Sequence, residues 1–77
     1  MRICPVIDLE ATGRNIARLR RKAGLSVREL QEVFGFSTPQ AIYKWQRGNA
    51  LPTVDNLVIL ASALGVPVDA LLVVDRG

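Results

Sequence analysis

The amino-acid sequence predicts an all-α protein, a compact bundle of five short helices. Three observations lead to this fold class: apolar residues recur at helical spacing, capping residues precede the periodic segments, and a glycine follows most of them. The chain has 77 residues, of which 49% are apolar. A chain of this length forms one small domain, 1–77, that needs such an apolar share to build its core.

The first helix is predicted over residues 12–23. Thr12 is suited to cap its start, and Ile16, Leu19 and Ala23 follow at helical spacing. Gly24 supplies the left-handed residue that ends a helix. Residues 1–11 are then expected to form an extended N-terminal arm.

The second helix is predicted over residues 26–34. Ser26 and Glu29 have the spacing of a capping box, and Leu25 and Leu30 that of a hydrophobic staple. Gly35 ends the helix. Its buried stripe is expected to consist of Leu30, Val33 and Phe34.

The third helix is predicted over residues 38–47. Thr38 is expected to cap it, with Pro39 at the first helical position, where its missing N–H costs nothing. Gly48 ends it. On a helical wheel Ile42 and Trp45 fall together, which indicates that they face the core.

Two more helices complete the bundle. Thr53 caps a fourth over 53–64 that Gly65 ends, and Pro67 starts a short fifth over 67–73. The apolar ends of the chain, Ile3 to Leu9 and Leu71 to Val74, could pair as short strands, cover the core as extended tails, or meet a second subunit. The sequence leaves these three alternatives open.

The residue types present exclude several classes of function. The chain contains no histidine and one cysteine, Cys4. It therefore does not have the residues needed for a disulfide framework, a structural zinc site or a histidine-dependent nucleophile. We therefore expect neither an enzyme nor a bound cofactor or metal. No apolar run approaches the roughly 18 to 20 residues of a membrane span, and a lone thiol is compatible with a cytoplasmic protein.

Positive charge is concentrated in one part of the chain. The net charge is +3, but residues 12–48 hold eight basic and two acidic residues, a net +6. A basic half on a small domain indicates a polyanionic partner, most often nucleic acid. A solvated basic helix surface is the alternative.

The outward side of the third helix has the residue types that read DNA bases. Gln40, Tyr43, Lys44 and Arg47 recur at i, i+3, i+4 and i+7, opposite the inward pair. Gln can bond to adenine and Lys to guanine in the major groove, Tyr can contact a thymine methyl group or a phosphate, and Arg at the helix end can reach the backbone. Ordinary surface polarity is the competing interpretation.

Further basic residues are placed to contact phosphates. Arg14 and Arg18 lie with Arg21 and Lys22 on one side of the first helix, away from its apolar side. Arg28 and the free N–H groups near Ser26 offer a second anion site at the start of the second helix.

From Ile16 to Val73 the chain resembles the phage-repressor-like (XRE-type) helix-turn-helix family. The resemblance rests on IARLRRKAGLSVREL, on IYKWQRG, and on LPTVDNLVILASALGVPVDALL. It implies a five-helix DNA-binding domain, typically dimeric on a palindromic operator, with the third helix as the recognition helix. It also implies base reading by Thr38 beside Gln40, Tyr43 and Lys44, and phosphate contacts by Arg14, Arg18, Ser26, Arg28, Arg47 and Asn49.

The chain departs from the family pattern at several positions. Val27 stands where the family has a phosphate-binding Gln, which shifts that contact to Ser26, Arg28 or backbone. The segment 35–48 is one residue longer than usual. Gln46 stands where the family has a Glu, so it should pair with Arg20 through a charge-assisted hydrogen bond and not an ion pair.

The sequence thus predicts a transcriptional regulator that binds double-stranded DNA as a homodimer. One alternative is an antitoxin-type DNA-binding protein that also binds a partner toxin. Another is a pure protein-interaction module, against which the all-polar stripe of the third helix argues, because protein interfaces favour apolar anchors.

Overall fold

The computed structural model describes residues 6–75 of the chain. It contains four α-helices and a 3-10 turn, with a two-residue strand near each end, so the all-α fold class is confirmed with four helices instead of five. No helix in this part of the chain is long and apolar enough to cross a membrane. The elements in order are β1 (Val6–Ile7), α1 (Leu9–Lys22), α2 (Val27–Phe34), α3 (Gln40–Gln46), α4 (Val54–Leu64), the 3-10 turn Val68–Ala70 and β2 (Val74–Asp75).

One apolar core joins all four helices to the segment after the 3-10 turn. Ile42 and Trp45 lie in it, as their spacing predicts, whereas Val33 of α2 is 52% exposed and not buried as expected. Val33 lies beside Val58 and Ile59 of α4, at the outer edge of the bundle. The buried apolar residues are Ile16, Leu19, Leu30, Ile42, Trp45, Leu60, Ala61, Leu64 and Leu71.

α1 begins at Leu9, three residues before the predicted start at Thr12. Asp8 is its N-cap, and the Asp8 carboxylate accepts a hydrogen bond from the Ala11 N–H at 3.0 Å. Thr12 is fully buried inside the helix and bonds to Val73 instead. The predicted N-terminal arm 1–11 is therefore wrong beyond residue 8, and residues 1–5 lie outside the described part of the chain.

The predicted fifth helix over 67–73 is a single 3-10 turn. Leu71 still has a helical conformation, and the chain then reaches β2, which pairs antiparallel with β1, Val74 opposite Ile7. Side chains of α1 bind the backbone of this segment: Asn15 Nδ2 donates to the carbonyl of Leu71 at 3.0 Å. Of the three alternatives for the chain ends, the structure has the paired strands.

α2 and α4 begin and end as their local sequence predicts. Ser26 and Glu29 form the capping box, and the hydrogen bonds from Ser26 to its carboxylate hold the pKa of Glu29 below its ordinary value. The Thr53 hydroxyl accepts from the Asn56 N–H and so caps α4. Gly65 ends α4 with a left-handed φ of 70°, a conformation that favours glycine.

Candidate nucleic-acid interface

The core side of α3 anchors this helix against α2. Ile42 is fully buried and Trp45 is 5% exposed. The Phe34 and Phe36 rings stack with centroids 4.9 Å apart, and each meets the Trp45 ring edge-on, at 5.3 and 6.0 Å. Because these rings belong to the end of α2, the turn and α3, the cluster fixes the angle between the two helices.

α1 crosses α3 at the C-terminal end of α3. Gly13 is buried there, and a Cβ on Gly13 would overlap with the carbonyl oxygens of Trp45 and Gln46. A residue without a side chain is therefore required for this crossing. Arg14 follows Gly13 and Arg47 follows Gln46, so both basic residues lie next to the α1–α3 crossing.

Arg20 joins α1 to both neighbouring elements. Its Nε donates to Gln46 Oε1 at 2.9 Å, and its Nη1 donates to the carbonyl of Leu25 at 2.8 Å. The predicted charge-assisted hydrogen bond to Gln46 is thus confirmed. Arg20 holds the end of α3 and the start of α2 in fixed positions relative to α1.

The outward side of α3 is polar and accessible. Gln40, Tyr43, Lys44 and Arg47 are all exposed, Tyr43 by 43%. No acidic residue occurs in α3. Arg47 Nε donates to the carbonyl of Tyr43 at 3.3 Å, which draws this side chain back along the helix. The four side chains lie on one surface, as their spacing predicts.

Thr38 and Asn49 flank α3 in the loops on either side. Thr38 is exposed but does not cap the helix, because α3 begins at Gln40 with Pro39 in the N-cap position and no capping side chain. The helix predicted over about 38–47 thus begins two residues later than predicted, and it ends at Gln46 with Arg47 as its C-cap. Asn49 is exposed, and its backbone N–H donates to the carbonyl of Lys44 at 2.9 Å.

α2 and α3 form an open groove of about 460 Å³, lined by Val27, Arg28, Gln31, Glu32, Pro39 and Tyr43. Arg28 and Tyr43 thereby lie on the same concave surface, although they are fifteen positions apart. Arg28 Nε lies 3.8 Å from Glu32 Oε1, and both side chains are highly exposed, so this ion pair is weak. Ser26 is at the start of α2, where its backbone N–H is already bound by the Glu29 carboxylate.

The exposed basic side of α1 contains a residue that sequence reasoning missed. Arg18 Nη2 donates to Asn15 Oδ1 at 2.7 Å, and Asn15 Nδ2 donates to the carbonyl of Ala70 at 2.8 Å. Asn15 thus binds the C-terminal segment through its amide nitrogen and orients the Arg18 side chain through its amide oxygen. Its position three residues before Arg18 is the only signal that the sequence offers. Arg14 is exposed one turn earlier.

Comparison with known proteins identifies the family. The model of the helix-turn-helix family matches residues 16–71, which is most of the chain. The chain belongs to the helix-turn-helix family. Its resemblance to the XRE-type members is confirmed by their common fold and sequence.

Relatives and solved structures agree with this assignment. An uncharacterized HTH-type transcriptional regulator of Sinorhizobium fredii, y4dJ, is 48% identical over 54 residues, which cover 70% of this chain and 69% of that protein. The restriction-modification controller protein C.AhdI from Aeromonas hydrophila has a TM-score of 0.74 at 28% identity, over 83% of this chain and 96% of its own.

Two other solved structures share this helix-turn-helix fold. The BldD DNA-binding domain of S. venezulae has a TM-score of 0.70 at 29% identity, over 84% of this chain and 96% of its own. The clp gene regulator ClgR from C. glutamicum has a TM-score of 0.69 at 27% identity, over 80% and 79% of the two chains. Family and fold are those of DNA-binding regulators, which are not typically enzymes.

Proposed function

We propose that this helix-turn-helix domain is a sequence-specific transcriptional regulator that binds a palindromic operator as a homodimer, with α3 in the major groove. The observation that carries the proposal is the two-sided character of α3. It buries Ile42 and Trp45 and exposes a stripe of hydrogen-bonding and cationic side chains. The names of the relatives, regulators and a DNA-binding domain, support the same function.

Base reading is assigned to the outward side of α3. Gln40 at the first position of the helix bonds to an adenine, and Lys44 one turn later bonds to a guanine. Tyr43 contacts a thymine methyl group or a phosphate from the groove between α2 and α3. Thr38, exposed just before the helix, completes the set at its N-terminal end.

Phosphate contacts surround this helix. Arg14 and Arg18 on α1 and Arg47 at the α1–α3 crossing bind the backbone on one side. Ser26, Arg28 and Asn49 provide the remaining contacts, Ser26 through its hydroxyl group, which also accepts from the Glu29 N–H in the capping box. Such contacts fix the register of the protein on the duplex and make affinity depend on salt. We place this activity in the cytoplasm, where a bacterial-type regulator meets its DNA.

The test is the enrichment of bound duplexes from a random-sequence pool at physiological salt, where non-specific binding is weak. A palindrome with half-sites about 10 bp apart is expected, since that spacing places two α3 helices on one side of the duplex. The absence of any enriched motif, with binding that disappears as salt rises, would reduce the basic surface to a general polyanion site. A search for a protein partner such as a toxin would then take precedence.

A further inference from the structure

One side of α1 is bound along its first turns to the C-terminal segment, residues 70–73. The Asp8 N–H donates to the carbonyl of Val73 at 2.8 Å, and the Thr12 hydroxyl accepts from the Val73 N–H at 2.9 Å. Asn15 is the next residue of this row, one helical turn after Thr12. It is the last of the three that bind the segment, and the basic surface of α1 begins beside it.

The amide group of Asn15 has one possible orientation at this position. Its nitrogen has two hydrogen atoms and donates to the carbonyls of Ala70 and Leu71, at 2.8 and 3.0 Å. Rotated by half a turn, the amide would place its oxygen against two carbonyl oxygens, and none of the three has a hydrogen atom to share. Leu71 is fully buried, so the core holds this part of the segment in place. The amide oxygen of Asn15 therefore points away from the segment.

That oxygen accepts a hydrogen bond from Arg18, whose Nη2 lies 2.7 Å from Asn15 Oδ1. The bond uses one of the five N–H groups of the guanidinium, and its acceptor is neutral, so the positive charge of Arg18 is not compensated. The remaining N–H groups suffice for a bidentate contact with a phosphate. A side chain that is already held in place loses less conformational entropy when it binds.

Arg14 is an internal comparison for Arg18. It is exposed on the same helix, one turn earlier. Within residues 6–75 its side chain has no hydrogen bond, whereas Arg18 is connected through Asn15 to the buried part of the C-terminal segment. Of these two proposed phosphate contacts, only that of Arg18 is thus supported by a part of the chain outside α1.

We infer that Asn15 is a positioning residue for the phosphate contact of Arg18, and that it couples the C-terminal segment to DNA binding. This role deepens the proposed function and rests on it, since that function assigns a phosphate to Arg18. Coupling between two sites is reciprocal. A docked segment strengthens the binding of DNA, and bound DNA stabilises the docked segment by the same factor.

The first test is a double-mutant cycle on a short duplex of arbitrary sequence at low salt, where phosphate contacts supply the affinity. Asn15→Ala retains every charge of the protein, and we expect it to weaken binding about two- to tenfold, the range for one lost hydrogen bond. In an Arg18→Ala background the same substitution should have no effect on binding. An Arg14→Ala background is the matched control, and there the full loss should remain. Circular dichroism checks that the variants are folded.

Hydrogen exchange measures the reciprocal effect and requires no variant of Asn15. Saturating DNA should slow the exchange of the Val73 N–H by the same factor that Asn15→Ala costs in affinity. Arg18→Ala should abolish this slowing, and Arg14→Ala should retain it. The Asn56 N–H, which is bonded at the start of α4, is the reference for effects on the whole domain.

Three outcomes overturn the inference. Asn15→Ala could bind like the wild type although Arg18→Ala weakens binding. Asn15→Ala could cause equal losses in the wild-type and Arg18→Ala backgrounds, which would show that Asn15 acts on the fold and not through Arg18. DNA could leave the exchange of the Val73 N–H unchanged relative to that of Asn56.

Failure of the proposed function gives a different result. The duplex has an arbitrary sequence, so an α3 that does not read bases leaves the cycle unaffected. An Arg18→Ala variant with unchanged affinity would refute the phosphate contact of Arg18 itself, and the role of Asn15 with it.

Discussion

Single side chains of α1 hold the C-terminal segment on the domain. The Thr12 hydroxyl accepts from the Val73 N–H at 2.9 Å and lies 3.4 Å from the carbonyl of the same residue. Asn15 bonds to the carbonyls of Ala70 and Leu71. These bonds connect residues more than fifty positions apart, and they hold the segment after the 3-10 turn against α1.

We predict that Thr12→Val lowers the free energy of unfolding by about 1 to 3 kcal/mol, the cost of leaving a buried N–H without its acceptor. Thr12 is fully buried, so water cannot replace the lost oxygen. Urea denaturation measures the effect. Thr12→Ser is the control, because it retains the hydroxyl group and should be the more stable of the two variants. Equal stability of both would contradict a role for the hydrogen bond.

Among the elements, the α1–α3 crossing decides how α3 is presented. Gly13 brings the backbone of α1 against the last turn of α3, and Arg20 joins the same two helices by a hydrogen bond to Gln46. Both features act on the end of α3 and leave its outward side free. The orientation of α3 therefore depends on residues of α1 that need not touch DNA.

We predict that Gly13→Ala destabilises the domain by about 1 to 3 kcal/mol, because the added methyl group forces the helices apart. At an open helix position the same substitution would stabilise the domain, because alanine is favoured over glycine by about 1 kcal/mol. Thermal unfolding distinguishes a loss of stability from a gain. Arg14→Ala, at the next and exposed position, should change stability by less than about 0.5 kcal/mol. A Gly13→Ala variant more stable than the wild type would refute the close crossing.

Local sequence predicted the elements whose ends are set by local contacts. The capping residues of α2 and α4 bond to groups only three positions further along the chain, and both helices begin where the sequence indicates. The start of α1 was predicted wrongly because Asp8 and Thr12 are both competent caps. The choice depends on Val73, which uses the Thr12 hydroxyl from across the molecule.

The same distinction applies to the candidate site. The outward residues of α3 could be predicted, since Ile42 and Trp45 define the buried side and helical spacing gives the other. The groove that Arg28 and Tyr43 both line could not be predicted, because it depends on the angle between α2 and α3. That angle is set by the packing of Phe34 and Phe36 on Trp45, which spacing alone does not give.

At the scale of the whole molecule, the basic residues are distributed unevenly. Eight of the ten lie within residues 12–48, the part that forms α1, α2 and α3. α4 contains no basic residue, and its exposed residues include Val54, Asp55, Val58 and Ile59. Most basic residues of the molecule thus lie on the elements that precede α4.

We predict that Arg14→Ala and Arg18→Ala each weaken binding to all DNA sequences alike and reduce the slope of log K against log salt by about 0.9, the contribution of one phosphate contact. Salt titration of binding to a fixed duplex measures the slope. Lys22→Ala removes the same charge from α1, but Lys22 lies beside Leu64 and Val66 and is not among the proposed phosphate contacts, so this variant should leave the slope unchanged. Slopes unchanged in the arginine variants would contradict the phosphate contacts.

The central claim is that the outward side of α3 reads base sequence. The most direct measurement repeats the random-pool selection with Gln40→Ala and with Lys44→Ala, and compares the enriched sites with that of the wild type. We predict that each variant loses its preference at particular base pairs in both half-sites, at a cost of about 1 to 3 kcal/mol on the wild-type site. Identical sequence preferences in all three proteins, or an equal loss of affinity on every sequence, would contradict the claim.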